Sequence, residues 1–195
     1  AGAYLAGAVP HREAGGGNAA KVGLSAQEML RQKLSAYLLF GGVEPWVDAL
    51  DNEAARTLAG AEFVVAITPF QNDQLRSTAH VMLPIGTFAE TSGTYVSLEG
   101  KWQSSPGAVA PQGEARPGWK VLRVLGNLLH VPGFEYVSSE DVLKELRALC
   151  GETKASSYTG SHRVNGAPAA APLVDINMDQ AGALLRRAAS LQETR

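Results

Sequence analysis

Two carboxylates on either side of a glycine are the first candidates for chemistry in this chain. Glu90 and Glu99 flank Gly93, and paired carboxylates are residues with which enzymes donate and accept protons. Nothing in the sequence places the two together, and each has a structural interpretation. Glu90 is expected to accept N–H bonds from the turn around Gly93, and Glu99-Gly100 to shape a hairpin tip. We therefore predict no catalytic residue.

Metal-ligating residue types are few and scattered. A single cysteine, Cys150, excludes an internal disulfide and any four-thiolate zinc or iron–sulfur site built from this chain alone. We expect it to be a half-buried small apolar residue at a helix end. The histidines lack the spacing that places two ligands on one helix face, so no metal site is predicted: His11, His80, His130 and His162.

The elements that would position these residues alternate between strand and helix. Apolar runs at 36–40 and 62–67 are typical of strands buried on both faces, and 80–84 is a third short strand. Between them lie a predicted helix over 45–59 and a helical turn over 71–78. This order predicts an α/β fold with a partial doubly wound, Rossmann-like parallel sheet.

A small β-hairpin insertion is predicted after the third strand. Runs at 94–97 and 101–104 surround Glu99-Gly100, and we expect both Gly93 and Gly100 to have positive φ. Pro117 is well placed to begin a helix that ends near Leu129, and Ser139 to precede a helix over 140–149 that stops at Gly151. Three tryptophans are expected to pack in the core or at seams: Trp46, Trp102 and Trp119.

Composition divides the chain into four parts. Residues 1–24 are rich in Gly and Ala and predict a flexible, extended lead-in. Residues 25–151 form the α/β domain, beginning with a helix over 26–34 capped by Ser25 and Glu28. Residues 152–178 are predicted to be a linker, and 179–195 a C-terminal helix that is too short to fold alone.

Charge and hydropathy exclude several classes of partner. A net charge of −2 with 18% charged residues gives no reason to expect nucleic acid. The longest apolar runs fall far short of the roughly 20 residues that a membrane span needs, so no direct membrane insertion is expected. The first residue is Ala1 rather than Met, which is consistent with an excised or processed segment.

The stretch 79–103, AHVMLPIGTFAETSGTYVSLEGKWQ, carries the most specific pattern. Its Leu-Pro, Ala-Glu-Thr-Ser-Gly-Thr-Tyr-Val and Glu-Gly-Lys-Trp-Gln resemble a segment of the molybdopterin oxidoreductase family. Flanking matches at 4–10, 113–120 and 186–194 narrow the resemblance to one branch of that family, the cluster-bearing peripheral-arm subunit of bacterial NADH:quinone oxidoreductases (respiratory complex I). Within that subunit, the chain resembles the C-terminal portion. The resemblance covers most of the chain.

The resemblance implies where a cofactor pocket would lie. Gly41-Gly42-Val43-Glu44-Pro45 ends the first strand, and the matching turn in molybdopterin enzymes often has Asn where this chain has Glu44. A carboxylate about 4 Å from a phosphate would cost roughly 4 kcal/mol at an effective dielectric near 20. The pocket is therefore predicted to be vestigial, with no cofactor bound by its candidate residues: Gly41, Gly42, Glu44, Glu90 and Gly93.

The resemblance further implies a scaffold role within a larger enzyme. It implies that a missing N-terminal part of the same subunit holds iron–sulfur clusters, and that other peripheral-arm subunits are partners. It implies a peripheral location on the cytoplasmic side of the bacterial inner membrane. The family's molybdenum ligand would precede Ala1, and the closing β-barrel of true molybdoenzymes is not evident after residue 150.

Two other hypotheses stay open. The chain is alternatively the C-terminal part of a formate-dehydrogenase-like subunit that still binds a molybdopterin dinucleotide. A third hypothesis is a non-redox interaction module.

Overall fold

The computed structural model of the protein describes residues 1–48, 53–151 and 182–193, and the chain divides into two units, 1–153 and 154–195. The first unit contains these helices: α1 Gly2–Leu5, α2 Ala26–Gln32, α3 Pro45–Asp48, α4 Glu53–Ala59, α5 Asp73–Thr78, α6 Gly118–Leu128 and α7 Ser139–Cys150. Its strands are β1 Ala36–Phe40, β2 Phe63–Thr68, β3 Val81–Pro84, β4 Gly93–Val96 and β5 Trp102–Ser105. The second unit contains α8 Ala183–Arg187 and α9 Ala189–Gln192.

Three parallel strands in the order β1-β2-β3 form the centre of the first unit. Their register places Leu38 opposite Val65, and Val65 opposite Val81. A separate antiparallel pair, β4 and β5, aligns Val96 with Trp102. The prediction of an α/β fold with a parallel sheet, helices and a β-hairpin is confirmed.

One face of the parallel sheet carries most of the core. Val64 and Ala66 alternate onto the same face of β2 and are fully buried, as are Leu58 of α4 and Leu75 of α5. The predicted burial of β1 on both faces is wrong, because Leu38 is 47% exposed and Phe40 41% exposed. The exposed residues Leu38 and Phe40 lie on one face of β1, and among the described residues α6 approaches this face at its end, where Gly118 lies against the Phe40 ring.

Several helix boundaries follow from local capping. Ser25 and Glu28 form the predicted capping box of α2, and Gly151 ends α7 with φ of +61°. The cap of α7 is Ser138 rather than Ser139, since the Ser138 side chain accepts the N–H of Asp141. The helix predicted over 45–59 is present as α3 and α4, and its residues 49–52 lie outside the described residues.

The two glycines of the hairpin differ in backbone conformation. Gly100 has φ of +79°, as predicted, and lies in the turn in which its N–H donates to the carbonyl of Ser97. The prediction of positive φ at Gly93 is wrong, because Gly93 pairs with Ser105 as a residue of β4.

The two ends of the chain also depart from expectation. Residues 1–24 are not extended throughout: α1 forms, and the N–H groups of Gly15 and Gly23 donate to the carbonyls of Leu5 and Pro10. Their mobility stays a prediction. The single C-terminal helix is wrong for the described residues, because extended backbone at Ala188 separates α8 from α9. The Gln192 side chain donates to the Leu185 carbonyl at the break.

Candidate functional site

A cleft of about 380 Å³ lies where the three parallel strands end. Phe40 and Gly41 at the end of β1, Pro69 after β2 and Ile85 after β3 all line it. Its other wall is formed by residues 86–88, 91–93 and 95, together with Gly118 and Trp119 of α6. The carboxyl edge of a parallel sheet is the edge at which open α/β domains bind ligands. We call this cavity the edge cleft.

The turn after β1 requires glycine at two consecutive positions. Gly41 and Gly42 have φ of +87° and +84°, a region that costs other residues roughly 1–2 kcal/mol each. A Cβ on Gly42 would also lie 3.2 Å from Cδ of Pro69, whereas a Cβ on Gly41 would meet open space. The Gly41 backbone is therefore the part of this turn that is open to the cleft.

The Glu44 carboxylate is turned into the protein. The residue is 4% exposed, and its Oε1 accepts a 2.8 Å hydrogen bond from Nδ2 of Asn72. Asn72 at the same time accepts the N–H of Leu75 at 2.8 Å and so caps α5. The Glu44 N–H donates to Asp48 at 2.6 Å. Glu44 thus ties the turn after β1 to the start of α5 and does not line the edge cleft.

Glu90 has a local capping role. It accepts the N–H of Thr87 at 2.7 Å and the Thr87 hydroxyl at 2.9 Å, around a 3-10 helix over Phe88–Glu90. These bonds, the N–H first, lower the pKa of Glu90 below its ordinary value. The predicted bonds from the turn around Gly93 are wrong, because the main donors belong to Thr87, with a smaller backbone contribution from Gln112. Glu99 is an exposed residue at the hairpin tip.

Of the five predicted pocket residues, the structure places two at the edge cleft. Gly41 and Gly93 line it, whereas Gly42 packs on Pro69, Glu44 bonds to Asn72 and Glu90 caps Thr87. No Lys, Arg or His is among the described residues that line the cleft. The positive end of a helix dipole is present, at Gly118 of α6, but the Phe40 ring lies against it.

Sequence reasoning missed two polar atoms at this site. Oγ1 of Thr91 and Nε1 of Trp119 are buried without a protein hydrogen-bond partner, and both residues line the edge cleft. Buried polar groups normally have partners, so these two mark the places where a bound group would gain most from a hydrogen bond. No sequence signal identifies them, because whether a buried polar atom has a hydrogen-bond partner depends on residues that are distant in the sequence.

A second cleft, of about 510 Å³, lies on the other side of Trp119. It is formed by α1, the β-hairpin and α7, and its polar wall includes Ser92 and Ser139, whose hydroxyls are 2.8 Å apart. Trp102 lines it and lies 5.3 Å from the Arg147 guanidinium. The predicted packing role of these tryptophans is consistent with their half-buried side chains.

The remaining candidate residues, Cys150 and the histidines, do not form a metal-binding cluster in the described part of the chain. Cys150 is half-buried as predicted, and burial raises the pKa of its thiol. Within residues 1–48, 53–151 and 182–193, no group of three or more His, Cys, Asp or Glu is placed to hold a metal ion. Over the same ranges, no helix has the length and apolar character needed to cross a membrane.

The sheet, its edge cleft and the hairpin define a chain of the open α/β class with a ligand-sized cavity at the strand ends. The model of the molybdopterin oxidoreductase family matches residues 4–128. The chain therefore belongs to the molybdopterin oxidoreductase family.

Curated relatives come from several branches of oxidoreductases. A nitrate reductase of Synechocystis sp. is 30% identical over 135 residues, 67% of this chain and 19% of that protein. The F420-dependent formate dehydrogenase subunit alpha of Methanocaldococcus jannaschii is 29% identical over 140 residues, 70% of this chain and 21% of that subunit. The mitochondrial NADH-ubiquinone oxidoreductase 78 kDa subunit of Candida albicans is 44% identical over 54 residues, 28% of this chain and 8% of that subunit. The chain therefore spans about a fifth or less of the length of these relatives.

Proposed function

We propose that this chain is a structural part of the cluster-bearing peripheral-arm subunit of an NADH:quinone oxidoreductase, and that it supports electron transfer without carrying a redox centre. The high local identity to the Candida albicans 78 kDa subunit supports the complex I branch. The observation that carries the proposal is the edge cleft, whose described lining lacks cationic side chains.

The family's pterin dinucleotide does not fit the residues of the edge cleft. Its phosphates would need cationic or N–H partners, and the described lining offers no cationic side chain, only Nε1–H of Trp119 and the partly covered start of α6. The Glu44 side chain, at the turn where the family often has Asn, is bonded to Asn72 and does not line the cleft, so it offers no contact to a phosphate there.

The proposed role is assembly. In the parent subunit, we expect iron–sulfur clusters in the part that precedes this chain, and contacts with other peripheral-arm subunits on the cytoplasmic side of the bacterial membrane. The chain would support the cluster-bearing part by packing rather than by chemistry. Isolated, it should bind no metal or flavin and should not oxidise NADH.

Thermal shift measurements test the proposal. Guanine nucleotides or a pterin dinucleotide at millimolar concentration should raise the melting temperature of the wild-type chain by less than about one degree, since stabilisation grows with the logarithm of ligand over Kd. Because Glu44 does not line the edge cleft, Glu44→Asn should leave the shift below about one degree, as should the control Glu99→Gln at the exposed hairpin tip. A large wild-type shift that saturates at micromolar ligand would contradict the proposal.

A second candidate function is cofactor binding in a formate-dehydrogenase-like subunit. The observations that favour it are the unpartnered Thr91 Oγ1 and Trp119 Nε1 at the edge cleft, and the relatives that cover more of this chain. Elemental analysis and ultraviolet–visible spectra of the natural parent protein separate the two. Stoichiometric molybdenum would favour this candidate, and iron without molybdenum would favour the scaffold.

A further inference from the structure

A groove of about 550 Å³ runs along one side of α6, away from the edge cleft. Its floor is aliphatic: Val121, Val124, Leu125 and Leu128 from α6, and Leu83 from β3. The four α6 residues recur at the three- and four-residue spacing of one helix face. Val124 is 47% exposed and Leu128 71% exposed. We call this cavity the α6 groove.

The apolar surface continues from the groove onto the sheet. Leu83 and Val81 alternate onto the same face of β3, and Val81 aligns with Val65 and Leu38 across the strands. Both Leu38 and Val81 are exposed. A contiguous apolar area of this kind, on a surface with polar edges, is typical of a protein interaction site rather than of a free surface.

The rim of the groove is basic. Arg116, Lys120 and Arg123 line it, and no Asp or Glu is among its described lining residues. The guanidinium of Arg116 donates to the adjacent Ala115 carbonyl, and Arg123 donates to the carbonyl of Tyr136, so these two bonds neutralise neither charge. Lys120 lies 5.4 Å from the Trp119 ring centroid. The whole chain has a net charge of −2, so this cluster is local.

We propose that the α6 groove binds an acidic amphipathic helix of another polypeptide. Aliphatic side chains of that helix would fill the groove between α6 and β3, and its carboxylates would face Arg116 and Lys120. An apolar groove bordered by basic side chains favours a helix whose apolar face is bordered by acidic side chains. A helix with basic side chains at the same positions would be repelled. The inference rests on the proposed assembly role, since it supplies that role with a surface and a type of partner.

Binding of a designed probe tests the proposal. The probe is a labelled helical peptide of about 20 residues with Leu at i, i+3, i+4 and i+7 and Glu on both borders; its match has Lys in place of every Glu. Fluorescence anisotropy with the full chain should give at least about tenfold tighter binding of the Glu peptide at low salt. The difference should narrow as salt screens the charges.

Charge reversal supplies the matched control. Arg116→Glu combined with Lys120→Glu should reverse the preference in favour of the Lys peptide. The control, Lys21→Glu combined with Lys101→Glu, changes the net charge by the same amount, but these lysines do not line the groove. It should preserve the preference for the Glu peptide. Val124→Ser should weaken both peptides, and unchanged melting temperatures would show that each variant is folded.

Four results would overturn the proposal: equal affinity for the two peptides, no change on reversal at positions 116 and 120, an equal change in the control pair, or binding by the chain but not by the longer natural protein. A dimer in light scattering that Val124→Ser dissociates would instead assign the groove to a second copy and would also overturn it. Failure here leaves the thermal-shift and metal measurements unaffected, so it is distinguishable from failure of the proposed function.

Discussion

At the scale of single residues, the hairpin glycines differ in what a methyl group would do. Gly100 has φ of +79°, and its N–H closes the turn onto Ser97. Gly93 is a strand residue, and a Cβ built on it meets no atom within 4 Å. The first glycine is required by backbone conformation, whereas at the second position there is room for a side chain.

Gly100→Ala should therefore lower the free energy of unfolding by about 1–2 kcal/mol, since the left-handed conformation disfavours a Cβ. Gly93→Ala is the matched control, and should be neutral or slightly stabilising because Ala loses less backbone entropy on folding. Urea unfolding of the three proteins checks the prediction. Equal losses in both variants would contradict the conformational argument.

The structural roles of residues that act on their sequence neighbours were predictable, whereas roles that depend on residues distant in the sequence were not. The positive φ of Gly100 and the capping by Ser25 follow from their immediate neighbours in sequence. Glu44 is different, because its partner Asn72 is 28 residues away. The unsatisfied Trp119 Nε1 is likewise a product of packing, so the polar points of the edge cleft could not be predicted from the sequence.

At the scale of elements, three of the described helical segments begin with reciprocal caps. In α7, the Asp141 carboxylate accepts the N–H groups of Val137 and Ser138, while its own N–H donates to Ser138 Oγ. The Ser138 hydroxyl, followed by these N–H groups, lowers the pKa of Asp141 below its ordinary value. The same arrangement lowers the pKa of Glu28 and of Glu90.

These caps predict acid sensitivity. A carboxyl whose folded pKa is depressed contributes stability in full above its unfolded pKa, near 4, and loses that contribution as pH falls through the folded pKa. Asp141→Asn should reduce stability at pH 7 and should lose less stability than wild type between pH 5 and pH 2. Urea unfolding across this range tests it, with Glu140→Gln as control. An identical pH profile for Asp141→Asn and wild type would refute the assignment.

The end of α6 offers a second prediction. A Cβ on Gly126 would overlap the Phe134 ring, so the ring must move. Overpacking costs about 1–3 kcal/mol, against about 1 kcal/mol gained by Ala in a helix, so Gly126→Ala should destabilise by up to about 2 kcal/mol. Combined with Phe134→Leu, the substitution should cost less than the sum of the two single changes. Additive losses in this double-mutant cycle would exclude the steric mechanism.

Strands and helices of unit 1 were largely predictable because each has a local signal: apolar runs for β1 and β2, and capping residues for α2. Which faces would be covered was not predictable. The apolar run of β1 predicts burial on both faces, but Leu38 and Phe40 are exposed. An apolar sequence therefore does not show whether another element packs on each face of the strand.

At the scale of the whole described molecule, stability should be unevenly distributed over the sheet. Leu58→Ala, at a position 1% exposed, should cost about 2–5 kcal/mol through lost burial and a cavity. Leu38→Ala removes the same atoms from a side chain 47% exposed and should cost about 1 kcal/mol or less. Chemical denaturation compares them directly, and similar losses would show that the exposed face is covered in solution.

The position of β1 has a consequence for how copies of this chain behave toward one another. Its outer edge pairs with no other strand in the described residues, and its sequence Ala-Tyr-Leu-Leu-Phe contains no proline or charge. Lysine, proline and bulges are the devices by which natural sheets prevent unwanted strand addition, and β1 lacks the first two. The strand is thus a template for edge-to-edge growth, and the isolated chain is expected to aggregate through β1.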